Sequence, residues 1–167
     1  MTKVLIAYAS KYGATAEIAA AVGGVLEEEG LSVTVAQAGT VNDVRPYEAV
    51  VLGSAVYVGN WMAEAVTFLE KYEPELKQRP LWLFSSGPTG SGEAREIVNG
   101  WLFPESIQPV ADRLGPREIV LFHGSIDLAR LNFGERLLVK AMNGSTGDYR
   151  DWVAIRAWGK RIAAALK

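Results

Sequence analysis

A cluster of hydroxyl, glycine and basic residues follows the first apolar segment of the chain and precedes a helical pattern. The cluster consists of Ser10, Lys11, Tyr12, Gly13, Ala14 and Thr15. Where a buried strand opens into such a turn at a helix N-terminus, free backbone N–H groups point outward and the helix dipole favours an anion. Serine and threonine hydroxyls add further donors. Residues 10–15 are therefore predicted to bind a phosphate group.

This cluster matches neither of the two common nucleotide motifs. A dinucleotide fingerprint needs three glycines in the pattern G-x-G-x-x-G, and a P-loop needs Gly-Lys-Ser/Thr after four spacer residues. A simpler alternative is an N-cap turn in which Ser10 or Thr15 only satisfies helix N–H groups. That alternative explains one hydroxyl but not the whole cluster, so the phosphate interpretation is favoured.

Strand-like and helix-like segments alternate along the chain, which is typical of a sheet covered by helices on both faces. The patterns predict strands at residues 3–9, 31–35, 49–53, 81–84 and 118–123, and helices at residues 14–29, 60–72, 106–114, 128–142 and 152–166, with a short helical turn within 41–46. The second strand alternates like an edge strand, whereas the third is continuously apolar like a central parallel strand. We expect one domain over residues 1–167, an α/β three-layer α/β/α sandwich with a five-stranded parallel sheet of order 2-1-3-4-5.

Ligands in this architecture bind beyond the carboxyl ends of the strands, where the strand order reverses. The turns after strands one, three and four should therefore converge on one site. After strand three the candidate residues are Ser54, Ala55, Val56, Tyr57, Val58 and Gly59. Tyr57 could provide an aromatic wall for a flat ring, and Gly59 could let the backbone approach that ring. Trp61 could extend the wall or be a core residue at the start of the third helix, and both interpretations stay open.

The turn after strand four is rich in glycine and serine. Its candidate residues are Ser86, Gly87, Pro88, Thr89 and Gly90. An exposed flexible loop is the alternative. The position of this turn beyond a central strand favours contact with a ligand through backbone N–H groups.

Composition excludes several kinds of chemistry. The chain has no cysteine and one histidine, so thiolate, iron–sulfur and zinc-thiolate sites are excluded, and we predict neither a metal site nor a catalytic side chain. A formal net charge of −2 gives no electrostatic case for nucleic acid. Lys11, Tyr12 and Gly13 come too early for a signal peptide, and no apolar run reaches the length of a membrane span. The expected location is the cytoplasm, and any redox chemistry would need an organic cofactor.

For three further features of the sequence we favour a structural interpretation over a functional one. Residues 128–142 place basic side chains among apolar ones, which suits a helix covering the sheet, although a docking face for a partner, a quinone or a membrane is the sharper alternative. His123 closes the fifth strand beside a glycine and is expected to be structural. Residues 148–151 are predicted to cap the last helix.

At these positions the chain resembles the flavodoxin-like superfamily, and more closely the branch that includes the menaquinone-dependent protoporphyrinogen dehydrogenases. Residues 3–15, 51–59 and 143–152 carry the resemblance, which covers nearly the whole chain. It implies FMN, with the phosphate on residues 10–15 and the ring against residues 54–59 and 86–90. Typical flavodoxins have Thr where this chain has Tyr12 and Asn where it has Ala14, so backbone N–H groups would carry more of the phosphate binding.

The resemblance implies an FMN-dependent oxidoreductase that passes electrons between a reduced donor and an acceptor such as a quinone, a porphyrinogen or a redox protein. The flavin would do the chemistry, and the protein would anchor and orient it. A one-electron carrier flavodoxin is the alternative, against which the weak net charge counts. A receiver module of the same strand order is disfavoured, because it needs acidic residues where this chain has Ser10 and Ser54.

Overall fold

The computed structural model describes residues 1–57, 59–87, 103–126, 133–134, 137 and 147–167. Its strands are β1 (Lys3–Ala9), β2 (Ser32–Gln37), β3 (Ala49–Tyr57), β4 (Asn60–Trp61), β5 (Leu81–Ser86), β6 (Glu118–Phe122), β7 (Ser125–Ile126) and β8 (Gly147–Asp148). Its helices are α1 (Ala14–Glu28), α2 (Ala63–Lys71), α3 (Glu73–Leu76), α4 (Gln108–Leu114) and α5 (Trp152–Leu166), with short 3₁₀ turns at Ala38–Thr40 and Glu105–Ile107.

The main sheet is parallel and has the order β2-β1-β3-β5-β6. The short strand β4 pairs antiparallel with β3 and lies outside this parallel order. Without it, β5 and β6 are the fourth and fifth strands, and the order is the predicted 2-1-3-4-5. The expected α/β sandwich of flavodoxin type is confirmed. The edge position of β2 is confirmed as well, since β2 pairs with β1 alone among the described strands.

Two apolar clusters cover opposite faces of the sheet. Alternate residues of β1 divide between them, with Leu5 and Ala7 in one cluster and Val4 and Ile6 in the other. The first cluster packs the sheet against α2, α3 and α4, and the second packs it against α1 and α5. Alternation along a strand places side chains on opposite faces, so a central strand needs apolar residues at every position to bury both.

The predicted helix over residues 60–72 was wrong at its start. Instead β3 runs on to Tyr57 and folds back, so that Asn60 and Trp61 pair with Tyr57 and Val56 as β4. The helix α2 begins only at Ala63. A strand of two residues is too short to produce a periodic pattern of its own. The spacing of apolar residues typical of the helix continues back across it, so the sequence places the helix start too early.

Two other predicted boundaries were also wrong. The helical turn expected within residues 41–46 lies earlier, at Ala38–Thr40, directly after β2. Of residues 148–151, only Asp151 caps α5, where its carboxylate accepts a hydrogen bond of 3.0 Å from the Ala154 N–H. Asp148 lies in β8 and pairs with Ser125 of β7 instead.

Trp61 is the buried anchor of the β3–β4 hairpin. Its side chain is 5% exposed, and its indole N–H donates a hydrogen bond of 2.8 Å to the Ser85 Oγ on β5. Of the two interpretations of Trp61, the structure therefore favours the core residue.

Replacing Trp61 with Phe is expected to lower the free energy of unfolding by about 1–3 kcal/mol, because a buried hydroxyl loses its partner. Chemical denaturation measures this change. Adding Ser85→Ala to that variant should recover part of the loss, since no unsatisfied hydroxyl then remains. Equal instability of the single and double variants would show that ring packing, and not the hydrogen bond, is the important term.

Within the described residues, no helix has the length and apolarity needed to cross a membrane. Of the predicted helix over residues 128–142, the structure describes Phe133, Gly134 and Leu137, all of them helical. The remaining positions of that segment lie outside the described residues.

Candidate cofactor-binding site

The carboxyl ends of the parallel strands lie side by side. Strand register places Ala9 of β1 opposite Ser54 of β3, and Ser54 opposite Ser85 of β5. The next pair, Ser86 with Phe122, extends this row to β6. The turns that follow β1, β3 and β5 therefore leave the sheet at one edge, as the strand order predicts.

The turn after β1 presents an uncapped helix N-terminus. The N-cap of α1 is Gly13, in the left-handed region with φ of 92°, and no side chain among the described residues caps the helix. The Ser10 Oγ accepts a hydrogen bond of 3.0 Å from the Gly13 N–H, so this hydroxyl shapes the turn and caps no N–H of the helix itself. The N–H groups of the first turn remain available to an anion.

Lys11 connects this turn to the hairpin after β3. Its ammonium lies 4.7 Å from the ring centroid of Tyr57 and 5.4 Å from that of Tyr12. Tyr57 stands at the end of β3 with 39% of its surface exposed, so part of its ring surface faces solvent. The structure thus brings the predicted phosphate loop and the predicted aromatic wall together, and adds a positive charge between them.

Other predicted residues have mainly structural contacts. Ser54 is fully buried, where its Oγ accepts a hydrogen bond from the Met62 N–H and donates one to the Ala55 carbonyl. Ser86 is buried at the end of β5. Gly87 packs so closely on Val56 that an added Cβ would lie 3.1 Å from the Val56 Cβ. This close approach brings the start of the β5 turn against the end of β3.

The remaining predicted residues are buried, lie in turns, or fall outside the described part of the chain. Thr15 is 1% exposed in the first turn of α1, Ala14 precedes it, and Gly59 has φ of 75° in the turn between β3 and β4. Val58, Pro88, Thr89 and Gly90 lie outside the described residues. His123 is half-buried, with its ring centroid 6.4 Å from that of Tyr149.

Sequence reasoning missed one residue beside the phosphate loop. The side chain of Arg150 is only 8% exposed, and its guanidinium donates a hydrogen bond of 3.2 Å to the carbonyl oxygen of Ala14. The density of charged and aromatic residues at 148–152 is a visible signal, but the same pattern also fits a helix start. The contact partner lies 136 positions away, and no local pattern indicates it.

Arg150 forms a charged pair with Asp148. Its hydrogen bonds hold the pKa of Asp148 below the ordinary value, and the carboxylate in turn raises the pKa of Arg150. Because the folded pKa of Asp148 is depressed, the pair's contribution to stability is complete above the unfolded aspartate pKa. That contribution is lost only as the pH falls through the lower folded value, so the pair is charged at neutral pH.

A family model described as Flavodoxin domain matches residues 5–152. The chain belongs to the flavodoxin domain family. The family membership implies FMN as cofactor and electron transfer as the general role.

Among curated proteins, the chain is similar to Protoporphyrinogen IX dehydrogenase [quinone] of Leishmania major. The two are 24% identical over an alignment of 127 residues, and the match covers 71% of this chain and 54% of the relative. The chain therefore spans about half the length of that relative.

Solved structures show the same fold. Oxidised Flavodoxin 1 from Bacillus cereus matches with a TM-score of 0.64 and 14% identity, covering 99% of this chain and 100% of that one. Rubredoxin oxygen:oxidoreductase from Desulfovibrio gigas matches with a TM-score of 0.65 and 15% identity, covering 99% of this chain but 36% of the other. At these identities the likeness concerns the fold.

The donor set at the strand ends fits FMN. A phosphate monoester needs N–H and hydroxyl donors and a nearby positive charge, which the uncapped α1 N-terminus, Ser10 and Lys11 offer. A flavin ring needs a flat apolar or aromatic surface, which the exposed part of Tyr57 offers. Tyr12 and Ala14 carry neither of the donors typical of the family, so a phosphate at this turn would depend mainly on backbone N–H groups.

Proposed function

We propose that the chain is an FMN-dependent oxidoreductase that passes electrons between a reduced donor and an acceptor such as a quinone. The choice of a quinone as electron acceptor rests on the similarity to Protoporphyrinogen IX dehydrogenase [quinone] over 71% of this chain. A porphyrinogen is one possible donor in this proposal, and a redox protein is an alternative partner. FMN would supply the electron-transfer chemistry when bound.

The residues proposed to hold FMN fall into two groups. Residues 10–15 would bind the phosphate, chiefly through the backbone N–H groups at the start of α1. Residues 54–59 and 86–90 would flank the ring, with Tyr57 as the stacking surface. No side-chain acid or base is required, because the protein's task is to bind and orient the flavin.

We propose a cytoplasmic location, with residues 128–142 as the docking segment for the acceptor or for a membrane surface. Two of its described residues, Phe133 and Leu137, are large, apolar and exposed by 78% and 51%. Both residues are helical and lie four positions apart, a spacing that places two residues of a continuous helix on one face. An exposed apolar helix face of this kind suits a hydrophobic acceptor.

A reductive titration of the FMN-loaded protein tests the proposal. We expect FMN to stay bound through desalting and to pass directly from the oxidised to the two-electron-reduced state. The reduced protein should then be reoxidised by a water-soluble naphthoquinone faster than free reduced FMN at the same concentration. A titration with a stable one-electron stage and slow quinone turnover would indicate a one-electron carrier. Failure to retain FMN would overturn the proposal.

A further inference from the structure

The side chain of Arg150 is largely covered and has several hydrogen-bond partners among the described residues. Its guanidinium donates to both carboxylate oxygens of Asp148 at 2.9 and 2.7 Å, and its backbone N–H donates to the same carboxylate at 3.1 Å. The guanidinium carbon also lies 4.7 Å from the ring centroid of Trp152. These contacts fix the orientation of the side chain, because a bidentate pair and a stacked ring leave it little rotational freedom.

Asp148 is itself held by the tertiary fold. It pairs with Ser125 in the two-stranded antiparallel sheet of β7 and β8, and β7 begins three residues after the end of β6 of the main sheet. The next residue is also tied to this region, since the Tyr149 N–H donates to the Gly124 carbonyl at 3.1 Å. The carboxylate that orients Arg150 therefore lies near the carboxyl ends of the strands, on the same side of the sheet as the candidate site.

The remaining contacts of Arg150 reach the first turn of α1. One guanidinium nitrogen donates to the Ala14 carbonyl at 3.2 Å and lies 3.4 Å from a carboxylate oxygen of Glu17. Ala14 directly follows the left-handed Gly13 of the predicted phosphate loop, and Glu17 lies four residues beyond Gly13. Glu17 is the acidic residue of this first turn, and its negative charge would repel a phosphate at the same helix end.

We propose that Arg150 is a positioning residue for the phosphate of FMN. It holds the first turn of α1 through Ala14, so that the N–H groups keep their direction, and it neutralises Glu17 beside the anion. This inference rests on the proposed FMN site. It concerns only the phosphate end of the cofactor, because the described contacts of Arg150 are with α1, β8 and the start of α5.

Comparison of FMN with riboflavin tests this role, since riboflavin carries the same ring without the phosphate. We expect Arg150→Ala to raise the Kd for FMN by about tenfold or more, because the first turn of α1 loses its charged hydrogen bond at Ala14 and Glu17 loses its partner. The Kd for riboflavin should change by less than about twofold, because ring contacts are untouched. Fluorescence quenching measures both constants on the full chain.

Arg156→Ala is the matched control. Arg156 also joins α5 to α1, through an ion pair of 2.9 Å with Glu28 at the far end of α1. Its removal should leave the ratio of the two dissociation constants unchanged. A loss of FMN binding in both arginine variants would mean that general helix docking, and not the phosphate end, is affected.

Glu17→Gln tests the electrostatic part of this role. Combined with Arg150→Ala, it should recover part of the FMN affinity, because the unpaired carboxylate is gone. If Arg150→Ala does not fold, Arg150→Lys replaces it, since lysine keeps the charge but cannot make the bidentate contact. The same selective weakening of FMN is then expected, by about threefold or more.

The outcomes separate the two proposals. Wild-type protein that does not bind FMN more tightly than riboflavin overturns the proposed phosphate site and this inference with it. Wild-type preference for FMN that persists in the Arg150 variants overturns this inference alone. Equal weakening of FMN and riboflavin in those variants also overturns it, since the effect would not be specific to the phosphate.

Discussion

Replacing Gly53 with Ala is expected to lower the free energy of unfolding by about 3 kcal/mol, because the added methyl group enters a filled core. A Cβ at this position would lie 2.0 Å from the Cζ of Phe84, which is paired with Gly53 on the neighbouring strand. Phe84 is fully buried, and its ring packs against Phe122 and Trp158 at centroid distances of 5.9 and 5.7 Å. These packed neighbours hinder any shift of the ring away from the added methyl group.

Gly24→Ala is the matched control for this substitution. Gly24 lies on the exposed face of α1, and an added Cβ there meets no heavy atom within 4 Å. It should raise the free energy of unfolding by about 0.5–1 kcal/mol, the usual gain from replacing a helical glycine. Urea denaturation of the two variants beside wild type gives both values. Similar stability of the two would contradict the proposed role of Gly53.

Replacing Gly13 with Val is expected to raise the Kd for FMN by about ten- to a hundredfold, because the loop must pay about 1–3 kcal/mol of backbone strain to adopt its binding form. Gly13 has φ of 92°, a conformation that a β-branched residue avoids. Relaxation of this residue would turn the α1 N–H groups away from the phosphate position. Isothermal titration with FMN measures the loss.

Gly30→Val is the control that distinguishes backbone strain in general from strain in the predicted phosphate loop. Gly30 has φ of 91° directly after the other end of α1, and an added Cβ there has no neighbour within 4 Å. It should therefore cause a similar loss of stability while leaving FMN affinity within about twofold of wild type, since the two sites are independent. Equal loss of FMN binding in both variants would indicate that global instability, and not the loop, controls affinity.

Much of the sheet could be predicted from local patterns. The continuous apolar run of β3 and the alternating run of β2 identified a central and an edge strand, and the strand order followed from them. Strand lengths were less accurate. β3 continues four residues beyond the predicted Gly53, to Tyr57, because its register with β5 and its hairpin with β4 extend the pairing past the apolar segment.

The candidate site was predicted in outline. The turns after β1 and β3 do meet at one edge, where Lys11 lies over the Tyr57 ring. The assignment of these residues to FMN stays a prediction, as does the single domain over residues 1–167. Ser54 shows why residue type alone was insufficient, since its hydroxyl is already engaged by the Met62 N–H and the Ala55 carbonyl.

The sequence by itself determined the alternation of strands and helices, the strand order and the place of the hydroxyl-rich turn, because these follow from short-range periodicity and composition. Only the tertiary structure decided that Trp61 is a core residue bonded to Ser85, and that Arg150 reaches Ala14. These contacts join positions 24 and 136 residues apart. Such contacts depend on strand register and on which groups burial leaves to be paired, and neither is encoded in the pattern around the residue itself.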